Sequence, residues 1–209
     1  MLEPLFKFFV VFFVVVEPIS LIPVFAGLTE GAGNGYKRRM ACKAVIIAGL
    51  ILIAFALAGG LLLETMGISL DAFRIFGGLM LFLIALDMVF ARQSGARTTT
   101  SGEEAEARKR DDISVFPLAF PLIAGPGALA TVLLVTGGTP RASLLFWGYI
   151  GVVVIVLVLA LLAMILTPRL MRVLGVTGAN VVSRLSGVIL GALAVQFVIN
   201  GVRGSLGTG

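Results

Sequence analysis

Leu5-Phe-Lys-Phe-Phe-Val-Val-Phe-Phe-Val-Val-Val-Glu17-Pro18-Ile-Ser20-Leu-Ile-Pro23-Val-Phe-Ala-Gly-Leu28 decides the fold class. The run is long enough for a bilayer core, which requires roughly 20 residues, yet it carries a carboxylate and two prolines near its middle. A cleaved leader would be shorter and unbroken by Glu17-Pro18, so the run reads as a retained span. Five more apolar runs follow, at 41–63, 73–90, 115–136, 142–166 and 185–202. With 59% apolar and 13% charged residues, the chain is composed for lipid rather than water. Lipid offers backbone groups no partners, and a barrel strand would alternate instead of running solidly apolar. The expectation is an all-α, polytopic membrane protein of six transmembrane helices.

Composition also limits the chemistry. The chain has no histidine and one cysteine, Cys42, so disulfides, haem, zinc and iron–sulfur sites lack their ligands. No metal and no cofactor is expected. A Ser-His or paired-Asp constellation is missing too, which argues against an intramembrane enzyme. The net charge of +5 belongs to loop residues that orient the chain, not to a nucleic-acid surface. Of 16 basic residues, only Lys7, Arg74, Arg141 and Arg203 fall on the side shared by the two termini. By the positive-inside rule both termini face outward, and the expected location is the inner (cell) membrane.

The chain then repeats itself. Pro18-Ile-Ser-Leu-Ile-Pro23 in span 1 is echoed by Pro121-Leu-Ile-Ala-Gly-Pro126 in span 4, and Arg74-Ile-Phe-Gly77 in span 3 by Arg184-Leu-Ser-Gly187 in span 6. Three spans is an odd number, so a second copy enters upside down. The expected organisation is a first three-helix repeat at 1–90, a polar cytoplasmic linker at 91–113 and an inverted repeat at 114–209. Internal prolines remove backbone donors and clash with the preceding turn, so helices 1 and 4 should be broken. Broken helices at matching places in inverted halves are where transporters hold their solute. They also occur as plain kinks.

The candidate substrate contacts are therefore Glu17, Pro18, Ser20 and Pro23 from one break, and Pro121, Gly125, Pro126 and Gly127 from the other. Gln196 and Asn200, four apart on one face of span 6, are added as hydrogen-bonding groups, with interhelical bonding as their plainer role. Glu17 is the sharpest feature, because a charge at that depth costs about 3 kcal/mol on insertion scales. It reads as a counter-charge for a substrate ammonium, a proton carrier, or a cap on the freed carbonyls. Gly187 and Gly191 form a small-xxx-small pair that packs helices or protomers, which leaves room for a homo-oligomer. Arg74 and Arg184 open their helices, where snorkelling to headgroups accounts for them.

Together Glu17-Pro18, Gly67-Ile-Ser69, Phe73-Arg-Ile-Phe-Gly-Gly78, Pro117-Leu-Ala-Phe-Pro121, Ala124-Gly-Pro-Gly127, Ser183-Arg-Leu and Gln196-Phe-Val-Ile-Asn-Gly201 resemble the MarC family over nearly the whole chain. The resemblance implies a carrier related to SnatA-like proteins, which move small neutral amino acids such as glycine and alanine and are grouped with LysE-type exporters. Many members show Asp-Pro-Leu-Gly-Asn where this chain has Glu17-Pro-Ile-Ser-Leu21. The expected partners are thus a small amino acid and the lipid bilayer. A passive channel, or a structural or regulatory membrane protein, is the alternative.

Overall fold

A computed structural model describes residues 2–90 and 112–207. Almost all of the linker expected at 91–113 lies outside the described residues. The helices are α1 (Leu2–Val16), α2 (Leu21–Leu28), α3 (Asn34–Thr65), α4 (Leu70–Phe90), α5 (Ser114–Ile123), α6 (Pro126–Thr136), α7 (Leu144–Ile165) and α8 (Thr167–Ser205). Together α1 and α2 form one apolar crossing, α3, α4, α7 and the stretch after residue 176 of α8 form four more, and the bent pair α5–α6 counts as the sixth.

Local chemistry explains the turns. Gly67, with φ 68°, follows the C-cap Met66 of α3, and Ile68 N–H donates to the Leu63 carbonyl (2.9 Å), closing a Schellman motif. Two residues on, the Ser69 hydroxyl accepts from Ala72 N–H and starts α4. Ser143 caps α7 in the same way through Phe146 N–H. The Gly-Ile-Ser triplet at 67–69 is thus a helix stop followed by a helix start.

Several helices differ from the apolar runs. With its 32 residues, α3 takes in the basic stretch from Lys37 to Lys43; at 1.5 Å per residue it is about 48 Å long, more than a bilayer core of about 30 Å needs. The final helix starts at Thr167 and turns at Gly175, φ 61°, so Arg184 sits inside α8 and does not open it. Arg74 lies one turn into α4 and bonds Asp71 at 2.9 Å. Its charge is held by a carboxylate partner, where the sequence had implied snorkelling alone.

The broken crossings occupy the centre. More than half (56%) of the apolar window of α1–α2 is buried in protein, against 22–39% for the four unbroken crossings, and most of α5 and α6 is buried as well. Around them α3, α4, α7 and α8 expose large apolar side chains such as Leu50, Phe76, Trp147 and Val188, the surface a membrane solvates. Packing pairs off across the two halves: α3 packs on α5 and α6 as α7 packs on α1 and α2, and α4 packs on α6 as α8 packs on α2. The counterparts α3 and α7 also touch, and α4 and α8 run along each other closely. A Cβ at Gly78 would stand 2.8 Å from the Ala194 carbonyl oxygen, and one at Gly187 would stand 2.8 Å from Met88 Cβ. Small residues thus let these two backbones meet, and Gly187 serves packing within one chain.

Candidate functional site

The first break follows from Glu17-Pro18. Glu17 N–H still bonds the Phe13 carbonyl, but Pro18 has no donor, and the chain turns through 17–20 before Ser20 N–H returns to the Glu17 carbonyl. Glu17 itself takes φ 51°, the one positive φ among the described non-glycine residues. Such left-handed backbone costs on the order of 1 kcal/mol or more for a residue with a Cβ and gathers at functional positions. Its side chain is buried (4% exposed), with Oε1 shut off from bulk solvent. Pro18 is buried beside it, and Ser20, half-buried at the N-cap of α2, makes no capping bond with its hydroxyl. The helix resumes at Leu21, so Pro23 lies within the first turn of α2 and not at the break; there its missing N–H has no intrahelical acceptor to forgo.

The second break is longer than the proline pair 121 and 126 implied. It begins in Phe-Pro-Leu-Ala-Phe-Pro at 116–121, where Phe116 and Phe120 are extended, both Phe-Pro peptide bonds are cis, and hydrogen bonding runs from residue i to i−5. After Ala124 the chain passes through extended Gly125, and α6 restarts on Pro126 itself, bent by 57° from the preceding segment. Pro126 is suited to that first position, and the N–H groups of Gly127 and Ala128 are among those that no intrahelical carbonyl can take. A Cβ at Gly125 would lie 2.3 Å from the Pro121 carbonyl oxygen.

The second break packs against the end of α1, just before the first break. A Cβ at Gly127 would come within 3.5 Å of Val15, two residues before Glu17, and closer still to Leu81 and Ile84 of α4. Val15, Ile84, Pro121, Gly125, Pro126 and Gly127 line a cavity of about 10 Å³, room for roughly one water. An amino acid cannot enter that space unless the helices move. Thr131, fully buried one turn further along α6, was not singled out by sequence; its hydroxyl donates to the Gly127 carbonyl at 2.8 Å.

Gln196 and Asn200 are not brought to this centre. They are exposed on α8 and bond each other at 2.8 Å, because the face of α8 that meets α4 is the one bearing Gly187, Leu190, Ala194 and Gly201. At 3.6 residues per turn, 196 and 200 fall on the opposite side. Among the described residues no group of three or more acidic or cysteine side chains gathers in metal-binding fashion.

Paired helix breaks enclosed by protein inside a shell of lipid-facing helices define a polytopic integral membrane protein in which irregular backbone is kept from lipid. The chain belongs to the MarC family: the description of MarC family integral membrane proteins matches residues 2–206. Relatives include a UPF0056 membrane protein of Aquifex aeolicus, 36% identical over 96% of this chain and 92% of its own. Another, the UPF0056 membrane protein YhcE of Escherichia coli, is 34% identical over 95% and 92%. The Methanocaldococcus jannaschii protein MJ1677 is 38% identical over 93% of each. No solved structure matches the chain.

Proposed function

We propose that this protein is a non-enzymatic carrier of small neutral amino acids across the cell membrane, built as two inverted three-helix repeats. The observation that carries the reading is the approach of the second break, at Gly127, to Val15 of α1, two residues before the buried, left-handed Glu17. A zwitterion needs both signs of partner in a dry site. The restarted N-terminus of α6 offers N–H groups and the positive end of its dipole to a carboxylate. Glu17 and the carbonyls freed by the break serve the ammonium, and the Ser20 hydroxyl lies at the same break.

The pairing of packing partners between halves supports the inverted repeat, since exchanging spans 1 to 3 with spans 4 to 6 reproduces the main packing partners of α3, α4, α7 and α8. A cavity of one-water size fits a closed state, and rocking of the two halves would open it to either side. Purified protein in liposomes tests the proposal: internal unlabelled glycine or alanine should accelerate uptake of the labelled solute. Uptake without such acceleration would mark a channel. No uptake across a panel of labelled amino acids would return the protein to a structural or regulatory role.

A further inference from the structure

A second concave site lies away from the helix breaks, where α2 and α7 end and α3 and α8 begin. It is a cleft of about 600 Å³, within the range that holds a sizeable ligand. Its rim carries Lys37, Arg38 and Arg169, and its floor is Phe25, Met164 and Met171. Among the described residues no carboxylate lines it. Lys43, two turns along α3 from Lys37, has Asp112 as its partner, whereas the three rim cations form no ion pair among the described residues. Three such cations around one hollow raise its potential and call for an anion.

We propose that this cleft binds the phosphate headgroup of an anionic phospholipid. Guanidinium and ammonium groups meet phosphate oxygens in short, charge-assisted bonds, and arginine does so through two donors at once. The Asn34 amide and the open first turn of α3 add neutral donors at the same rim. The Thr29 and Thr167 hydroxyls, also at the cleft, donate to the carbonyls four residues back, Phe25 in α2 and Ala163 in α7, so the cations carry recognition. The apolar floor distinguishes a lipid from a free phosphate, which would gain nothing from Phe25 or the methionines. The level fits too, because the cleft opens where the apolar crossings stop, the depth at which headgroups lie. Basic pockets between helix ends are a recurrent form of headgroup site.

The test uses purified full-length protein in neutral detergent, doped with phosphatidylglycerol, phosphatidylcholine or inorganic phosphate at equal concentration. Phosphatidylglycerol at saturation should raise the melting temperature by roughly 5 °C, with little effect of the other two. The triple variant Lys37→Gln, Arg38→Gln, Arg169→Gln should lose that rise, while Arg39→Gln, Arg172→Gln, Arg184→Gln, which removes equal charge outside the cleft, should keep it. Native mass spectrometry of the single variant Arg169→Gln supplies a readout independent of folding yield. Retention of phosphatidylglycerol there should fall roughly tenfold, about 1.4 kcal/mol. Equal shifts from the two lipids, a rise that survives the triple variant, or inorganic phosphate matching the lipid would each overturn the assignment.

Discussion

The Pro121 carbonyl oxygen occupies the space a side chain at Gly125 would need, 2.3 Å from the position of its Cβ. Because the obstacle is backbone, nothing flexible can move aside. Gly125→Ala should therefore cost more than about 3 kcal/mol, beyond ordinary overpacking, and lower the yield of monodisperse protein. At Gly127 the nearest atoms are the ends of Leu81 and Ile84, 2.9 and 3.1 Å away, so Gly127→Ala should cost only about 1 kcal/mol. Denaturation in detergent compares the two, and the reverse order of stability would contradict the geometry of the second break.

A similar contrast exists between α4 and α8. Gly78→Ala would drive a methyl group against the Ala194 carbonyl oxygen (2.8 Å) and Val198 nitrogen (3.0 Å), whereas Gly191→Ala meets only the Ala85 methyl at 3.6 Å. The first should destabilise by roughly 1–3 kcal/mol and the second by less than about 0.5. Equal melting temperatures would mean that the helices are not so closely apposed.

Glu17 separates strain from function. Glycine adopts φ 51° without penalty, so Glu17→Gly should leave stability unchanged or raise it by about 1 kcal/mol, while abolishing amino-acid exchange in liposomes. Glu17→Gln retains hydrogen bonding without a negative charge. It should weaken the apparent affinity for the solute if the carboxylate meets the ammonium, and abolish only pH-gradient-driven uptake if it carries a proton. A loss of more than about 2 kcal/mol in Glu17→Gly, with exchange intact in Glu17→Gln, would make Glu17 a structural cap.

Asp112 ties the start of α5 to α3. Bonds from Lys43 and then from Ser114 hold its carboxyl well below the ordinary 3.8. A depressed value in the folded state contributes stability that is present above the unfolded value and lost as pH falls through the folded one. The gap in melting temperature between wild type and Asp112→Asn should accordingly be widest near neutral pH and narrow below pH ~4. Both partners are over 40% exposed (45% and 42%), so the gap should be small and shrink further in high salt. A gap unchanged at pH 3 would exclude the ion pair as its source.

The charge count predicts that both termini face outward. In a Cys42→Ser background, a thiol reagent that cannot cross the membrane should label Gly138→Cys in intact cells and Asn34→Cys only after permeabilisation; both positions are exposed at helix ends. The opposite pattern would invert the topology.

Fold class and the location of the breaks were legible in the chain, because a bilayer demands long unbroken apolar runs and every proline or carboxylate within one is conspicuous against that background. Glu17-Pro18 alone placed the first break, and Gly67-Ile-Ser69 encoded a helix stop and start through local rules of φ and capping. What the tertiary structure decided depends on which faces meet. It put Gln196 and Asn200 on the side of α8 away from the face that packs on α4. It also brought Lys37 and Arg169, more than 130 residues apart, around one cleft. In lipid every helix face is apolar whether it packs on protein or on solvent, so hydrophobic periodicity no longer marks the inner side; only the interlocking of glycines and bulky neighbours does.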